Sequence, residues 1–410
     1  MKRILFVTLD LQCDGAEKSL ISLLNKIDFG KYRVYLLRLN VHNNFFLASI
    51  PDEVTIIDTP YELASFFSPL GNSIRQLAGM YKWKLILFRL LLAFINQIAK
   101  FIIPFRQWGY YLWKYFVQEF SAIDGKYDVV ISYQDHAPLY YMIDKTKGFK
   151  KIGWNHNDYS MPGRANCIDK TYYEQLDYLV TVSDICRQSL MRYFPSLEYK
   201  IRVINNIISP NTIRGMANDQ CEISNTNYKG IVLTTVARLS PEKGIDLAVE
   251  ACELLKANGY NIKWYVLGNG SEYEKLRKKI IDKKLEEIFF LMGIKTNPYP
   301  FIKMCDIYVQ PSRYEAYGIT IAEAKALCKP IVATDINAFR AQIVNEQNGI
   351  IVPVNSGELY NGIIRLINNP ELRELFSRNL ALEDIGNESE ILKFYRLIEE
   401  EETELRLKGK

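Results

Sequence analysis

The chain has 410 residues, of which 48% are hydrophobic and 24% charged, with a formal net charge of +4. That length exceeds a single core and points to two domains, and the apolar content is ample for packed sheets. So mild a charge does not by itself indicate nucleic acid. Seven scattered cysteines without a CxxC pair argue against a disulfide framework and a zinc site, which fits a reducing cytosol.

The first apolar run is too short for a signal peptide and is expected to be a strand. Strand-like runs occur at residues 4–9, 33–39, 54–57, 129–133, 152–155 and 178–182, with helical patterns at 17–26 and 184–193. That alternation argues for an open parallel sheet. Residues 206–229, rich in Asn, Ser and Thr, read as a linker. The second half repeats the design, with strands at 231–237, 263–267, 288–291, 307–310 and 331–333. The expected class is α/β, with Rossmann-like domains at 1–205 and 230–387. A last helix follows within 388–410, where Ile391, Leu392, Tyr395, Leu397 and Ile398 supply apolar positions.

Residues 63–118 stand apart because they contain no Asp or Glu and are dense in aromatics. On a helical wheel Lys82, Arg89 and Lys100 fall on one stripe, beside an apolar face that includes Trp83, Leu87, Leu90 and Phe94. A basic, acid-free amphipathic helix is expected to lie in an anionic membrane interface. The alternative is domain core with a solvated basic face. A span is not expected, because Arg89 and Lys100 interrupt every window of about 20 residues.

The most informative stretch runs from Arg313 through Glu315, Gly318, Ile319 and Thr320 to Glu323. It reads as strand, loop, helix, strand, and a parallel sheet offers its ligand site at such a loop. An acid there can accept hydrogen bonds from sugar or ribose hydroxyls, and free N–H groups at a helix start suit phosphate. Arg238 and Lys243 follow the strand at 231–237, in a loop that leads into a helical pattern. Gly268-Asn-Gly270 lacks the third glycine of a dinucleotide fingerprint. His156, one of three histidines, follows an apolar strand and could orient a hydroxyl or accept a proton, and His136 is a weaker candidate of the same kind. Gly15 is placed for a tight turn between the first strand and its helix.

The spacing Glu315-x7-Glu323, with Arg238-Leu … Lys243-Gly244, Asp14-Gly15-Ala16-Glu17 and Trp154-Asn-His156, resembles the retaining glycosyltransferases of family 4. The resemblance spans roughly residues 1–30, 150–210 and 230–385. It implies the GT-B fold, two Rossmann-like domains facing each other across a cleft, one presenting the acceptor and the other holding the donor. The last helix would cross back to the first domain. Arg238 and Lys243 would stabilise the leaving diphosphate, Glu323 would bind the ribose and Glu315 the donor sugar near its anomeric centre. His156 would face that sugar. Gly15 and Ala16 would border the phosphates, although Asp14 stands where the family usually has a first glycine. Gly268 and Gly293 would line the nucleotide, and the backbone amides of Gly318, Ile319 and Thr320 would hold phosphate or sugar oxygens.

No Asp-x-Asp pair occurs, in keeping with transfer that needs no metal, and no cofactor is expected beyond the nucleotide-sugar substrate. The expected function is transfer of a sugar, from UDP by preference, with retention onto a lipid-linked or cell-surface polysaccharide acceptor. The site would be the cytoplasmic face of the cell membrane, with no nucleic-acid partner. A nucleotide-sugar epimerase or a catalytically inactive membrane adaptor are the alternatives.

Overall fold

The computed structural model describes residues 1–99, 108–160, 166–223 and 228–400. The chain divides into two compact units, Met1–Asn206 together with the segment from Ser389, and Ile207–Glu388.

The first unit holds a seven-stranded parallel sheet. Its strands are β1 (Lys2–Thr8), β2 (Tyr32–Arg38), β3 (Thr55–Ile57), β4 (Tyr127–Ser132), β5 (Gly148–Asn155), β6 (Tyr178–Thr181) and β7 (Ile201–Val203), in the order β3-β2-β1-β4-β5-β6-β7. Ile4, Leu5, Phe6 and Val7 are all fully buried, as expected of a strand covered on both faces. The order reverses at β1, which has β2 on one side and β4 on the other. The crevice beyond the carboxyl ends of β1 and β4 is where such a sheet takes a ligand.

The second unit has β8 (Ile231–Val236), β9 (Ile262–Leu267), β10 (Phe289–Leu291), β11 (Ile307–Gln310), β12 (Ile331–Thr334) and β13 (Gly349–Val352). Their order is β10-β9-β8-β11-β12-β13, all parallel, so the switch lies between β8 and β11. Side chains alternate along each strand. Val232, Tyr308, Ile331 and Ala333 join one core with residues of the helices Tyr299–Met304 and Ile319–Ala326. Leu233, Val309 and Val332 join the other, with the helices Ile245–Ala257 and Ser356–Ile367.

Two short strands, β7 and β13, were not among the runs read from the sequence. The stretch read as a linker is also partly structured, with a helix at Pro210–Met216. Ile208, Ile213 and Ala217 bury into the second unit, and Pro210 sets the helix start with its fixed φ. Polar residues on the opposite side masked that signal.

The last helix, Glu390–Glu399, belongs to the first unit. Phe394 is fully buried, stacking on Phe6 at 6.2 Å and lying 6.4 Å from Trp154. The Tyr395 ring stacks on Tyr32 at 5.3 Å and its hydroxyl donates to the Lys26 carbonyl. Buried Lys150 donates to the Leu397 carbonyl at 3.0 Å, a cation at the helix end where carbonyls lack partners.

Within 63–118 the described helices are Leu70–Gly79, Trp83–Ala99 and Trp108–Phe116, following Tyr61–Phe67. Leu85, Ile86 and Phe88 enter the core, with Phe88 stacked on Phe116 at 4.5 Å. The outward basic stripe is corrected. Arg89 turns inward and donates to the Ser68 carbonyl at 3.1 Å, and the Lys82 Nζ donates to the Glu119 carbonyl at 3.2 Å. Loop carbonyls packed beneath the helix need donors, and these long side chains reach them. Facing solvent, besides Lys84, Asn96 and Gln97, is an apolar stripe, Trp83, Leu87, Leu90 and Phe94, spaced 4, 3 and 4 residues apart and 45–64% exposed. Lys100 lies outside the described residues. Among the described residues no helix is long and apolar enough to cross a membrane.

Phe394→Ala should empty the site between Phe6 and Trp154 and cost about 3–5 kcal/mol, read as a lower denaturation midpoint for the first unit. The exposed Leu392→Ala should change it by less than about 0.5 kcal/mol.

Candidate active site

In the second unit the loops after β8 and β11 meet at the switch point. Gly244 makes this possible. Its φ is +66°, and a Cβ there would lie 2.0 Å from the Pro311 carbonyl oxygen. Arg313 then clamps the two loops, with Nη1 and Nη2 donating to the Asp246 carboxylate at 2.6 and 2.7 Å. The backbone N–H groups of Arg313 and Tyr314 donate to the Glu242 carbonyl at 2.8 and 3.2 Å. Burial raises the Asp246 carboxyl, but the Arg313 hydrogen bonds and charge outweigh it and hold Asp246 below its usual range.

The clamp brings Lys243 and Glu315 together, Nζ to Oε2 at 2.6 Å, with side chains only 16% and 13% exposed. The second oxygen of Glu315 is engaged as well. The Ser312 hydroxyl donates to Oε1 at 3.0 Å, Gln310 Nε2 donates to Ser312 at 3.0 Å, and the Tyr308 hydroxyl donates to Gln310 at 2.8 Å. Glu315 is thus oriented by a chain of buried side chains anchored in β11. Arg238, in the same loop as Lys243, is more open and donates to Glu242 at 3.0 Å.

Gly318 caps the helix Ile319–Ala326 in a left-handed conformation, so the first N–H groups of Ile319 and Thr320 open this helix directly after Glu315 and its loop. Glu323 is 1% exposed and accepts from the Tyr299 hydroxyl at 3.2 Å. Gly268 donates its N–H to the Gly293 carbonyl at 2.8 Å, joining the ends of β9 and β10. With φ +139° and only 2.0 Å between a built Cβ and the Ala237 carbonyl, that position also demands glycine. Arg238, Lys243, Gly268, Gly293, Glu315, Gly318, Ile319, Thr320 and Glu323 therefore all follow the carboxyl ends of β8, β9, β10 and β11. Arg313 and Asp246, which hold two of these loops in place, were missed as a pair. The signal lies in an arginine and an acid flanking the two motif loops, and only their contact reveals it.

Gly15, Ala16 and His156 belong to the first unit. The tight turn expected at Gly15 is corrected: Gly15 is the first residue of the helix Gly15–Leu24 and is not among the positive-φ glycines. Asp14 caps that helix through Oδ1, which accepts the Gly15 N–H at 3.0 Å. Two residues on, Glu17 is 2% exposed; Oε1 accepts from Gln134, and Oε2 is buried with no partner among the described residues. Burial, with the charges of Asp14 and Asp10, pushes its carboxyl up to about 8. The sequence reading left Glu17 without a role, although three acids within eight positions hinted at it.

The His156 ring packs 4.8 Å from Tyr133 and stacks on Trp154. Burial pushes the imidazole down to about 3 against a hydrogen bond with the Tyr133 backbone. Its Nε2 is buried with no partner among the described residues. His156 is a neutral imidazole at physiological pH.

Residues 218–381 match the family model described as Glycosyl transferases group 1. The chain is 31% identical over 167 residues, 40% of its length, to a poly(ribitol-phosphate) alpha-N-acetylglucosaminyltransferase of Staphylococcus aureus. It is 31% identical over 153 residues, 37% of its length, to an alpha-D-kanosaminyltransferase of Streptomyces kanamyceticus. These matches span only 34% and 40% of those two relatives. Among solved structures, Anabaena HepE with UDP and glucose superposes with a TM-score of 0.69, covering 97% of this chain and 99% of that one at 16% identity. S. aureus TarM, in complex with fondaparinux, alpha-GlcNAc-glycerol and UDP, gives 0.68 over 98% and 100% at 16% identity. Two parallel Rossmann-like sheets with those neighbours define the GT-B fold, and the sequence match makes residues 218–381 a glycosyl transferases group 1 domain.

Proposed function

We propose that the protein is a retaining, metal-independent glycosyltransferase that moves a sugar from a UDP-linked donor onto a lipid-linked or cell-surface polysaccharide acceptor. The observation that carries this reading is the Lys243–Glu315 pair held at the β8/β11 switch point directly before a helix start. In this reading the cation serves phosphate charge and the carboxylate serves sugar hydroxyls.

In this reading the bond between the anomeric carbon and the β-phosphate oxygen breaks while a bond to the acceptor oxygen forms on the same face. The departing phosphate oxygen takes the acceptor proton. Negative charge grows on the diphosphate, and Lys243, Arg238 and the N–H groups at Gly318, Ile319 and Thr320 stabilise it. These fixed charges act without reorganising, so no divalent ion is invoked. Glu315, already oriented by Ser312, receives donor-sugar hydroxyls, and buried Glu323 receives the ribose hydroxyls. Gly268 and Gly293 border the nucleotide. The unpartnered Nε2 of His156 gains its missing hydrogen bond from a sugar hydroxyl. UDP is favoured because it is the nucleotide named with both HepE and TarM. A polymer acceptor is favoured by the substrate of the S. aureus relative.

The membrane-facing element is the stripe of Trp83, Leu87, Leu90 and Phe94 on a segment without acids. It would bury in the interface of an anionic inner leaflet, with exposed Lys84 and Lys114 nearby in the chain.

Addition of UDP at a hundredfold excess over Kd should stabilise the protein by about 2.7 kcal/mol, a shift of several degrees in Tm. If neither UDP, GDP, ADP nor their sugar conjugates move Tm or bind in a titration, the transferase reading is wrong. Lys243→Ala and Glu315→Gln should each lower kcat by about 10²–10³-fold while leaving the fold intact by circular dichroism. Retention predicts a product whose anomeric configuration by NMR matches the donor.

His156 has a folded pKa of about 3 against 6.5 in the unfolded chain, so the unfolded state binds the extra proton below 6.5. Its contribution to stability is complete above pH 6.5 and is lost as pH falls towards 3. The stability difference between wild type and His156→Asn should therefore shift against wild type over that window, and stay level from pH 7 to 9. In flotation assays on vesicles containing phosphatidylglycerol, Trp83→Ser with Phe94→Ser should lower binding by at least about tenfold. Equal binding of the double variant would remove the membrane role of this stripe.

A further inference from the structure

The helix Ile319–Ala326 is entered through the peptide that joins Tyr317 to Gly318. Gly318 is left-handed, at φ +81° and ψ +56°, and a Cβ built there would lie 2.8 Å from Phe339 Cε1. Phe339 is fully buried on the short helix Asn337–Arg340 that follows β12. Glycine has the widest choice of backbone conformation, so the neighbours of this one must hold it in place.

Gln342, two residues past that short helix, supplies the hold. Its side-chain Nε2 donates to the Tyr317 carbonyl, and it lies 3.4 Å from the Ala338 carbonyl and 3.5 Å from the Gly318 carbonyl. All three neighbours are acceptors, so the nitrogen end of the amide is the end that fits. Gln342 is itself tethered. Its N–H donates to the Phe339 carbonyl at 2.9 Å, and its carbonyl accepts from Lys325 Nζ at 2.7 Å. Lys325 lies on the helix that Gly318 caps, its side chain is 13% exposed, and it pairs with Glu383 at 2.7 Å. The amide is thus carried by a segment anchored to the same helix whose entry it touches.

The consequence lies on the other side of the peptide. Among the described residues no peptide bond is cis. In a planar trans peptide the C=O and the N–H point in opposite directions. Drawing the Tyr317 carbonyl to Gln342 therefore turns the Gly318 N–H away from Gln342. The Gly318 carbonyl takes the Ile321 N–H at 3.0 Å, which closes the first turn. The N–H groups of Ile319 and Thr320 precede that bond, where a helix has no acceptors of its own to offer. Without Gln342 the peptide could rotate through ψ of Tyr317 and φ of Gly318, and a glycine opposes that rotation least.

We propose that Gln342 is a positioning residue for the donor diphosphate, fixing the Tyr317–Gly318 peptide so that the Gly318 N–H is presented to a phosphate oxygen. The inference rests on the transferase reading and deepens it, adding a residue from beyond β12 to those that follow β8 to β11. A donor already aimed at growing charge needs no reorganisation in the transition state. The amide is required rather than the acid, because a carboxylate here would face three carbonyls with no proton to give.

The test reads the peptide directly. Tyr–Gly occurs once in the chain, at Tyr317–Gly318, so labelling with 13C-carbonyl tyrosine and 15N-glycine yields one carbonyl-correlated amide signal. In wild type, UDP should move this signal downfield. Gln342→Met keeps the side-chain length and removes the donor, and Gln342→Glu replaces the donor by acceptors. Each should raise Kd for UDP about tenfold, lower kcat with a UDP-sugar at least as much and shrink the UDP-induced shift, with Glu the more severe. Wild type that binds UDP without moving the signal overturns the proposal, however the variants behave. So do Kd and kcat within about twofold of wild type in both variants. A lower Tm and weaker UDP binding in both variants, with the full downfield shift kept at saturation, marks a residue that only supports the fold and overturns it too. If wild type binds no nucleotide and turns over no donor, the transferase reading falls, and this inference with it.

Discussion

The close approach of Gly244 to Pro311 is the constraint on which the second unit's site depends. β8 and β11 are neighbours at the point where strand order reverses, and their loops leave the sheet in opposite directions. Only a residue without a β-carbon lets the two loops touch. Once they touch, Arg313 can reach Asp246, the Glu242 carbonyl can take two N–H groups, and Lys243 can sit against Glu315. A charge pair this sheltered is costly to assemble unless its remaining hydrogen-bonding capacity is met. The chain Tyr308–Gln310–Ser312 meets it on the Glu315 side.

The first unit solves a different problem. The carboxyl edge of its sheet carries two groups that burial keeps neutral, Glu17 and His156, with Asp10 and Asp14 close to Glu17. Its sheet is completed from the far end of the chain, where Phe394 fills the space over Phe6 and Lys150 takes up the helix-end carbonyls. Stability of the first unit is thereby tied to residues that come last in sequence.

The helix Trp83–Ala99 shows how composition and geometry can part company. Its sequence suggests a basic outer face, yet Arg89 and Lys82 are spent on backbone carbonyls at Ser68 and Glu119. Burying those carbonyls without donors would cost more than turning two flexible cations inward. The consequence is a helix that is apolar on both sides, one packed and one exposed.

Much of this was legible in the sequence. Strands covered on both faces, such as β6, β11 and β12, leave continuous apolar runs, eleven strands could be read in order, and the parallel α/β class followed from the helical patterns between them. The motif residues could be placed as well, because loops after such strands are where Arg238, Lys243 and Glu315 must fall. What the sequence could not supply were relations between distant positions. β7 has Arg202 at its centre, β13 lies between a polar stretch and Pro353, and the helix Pro210–Met216 hides in polar composition. Phe394 is one aromatic among many until it meets Phe6. The contact of Lys243 with Glu315, the shift of Glu17 to about 8 and the hold of Gln342 on the Tyr317 carbonyl arise only when separate loops share a sheet edge. Local pattern determines which residues form strands and helices, because it depends on neighbours in the chain. Side-chain partners, burial and charge state depend on neighbours in space, and tertiary structure alone decides those.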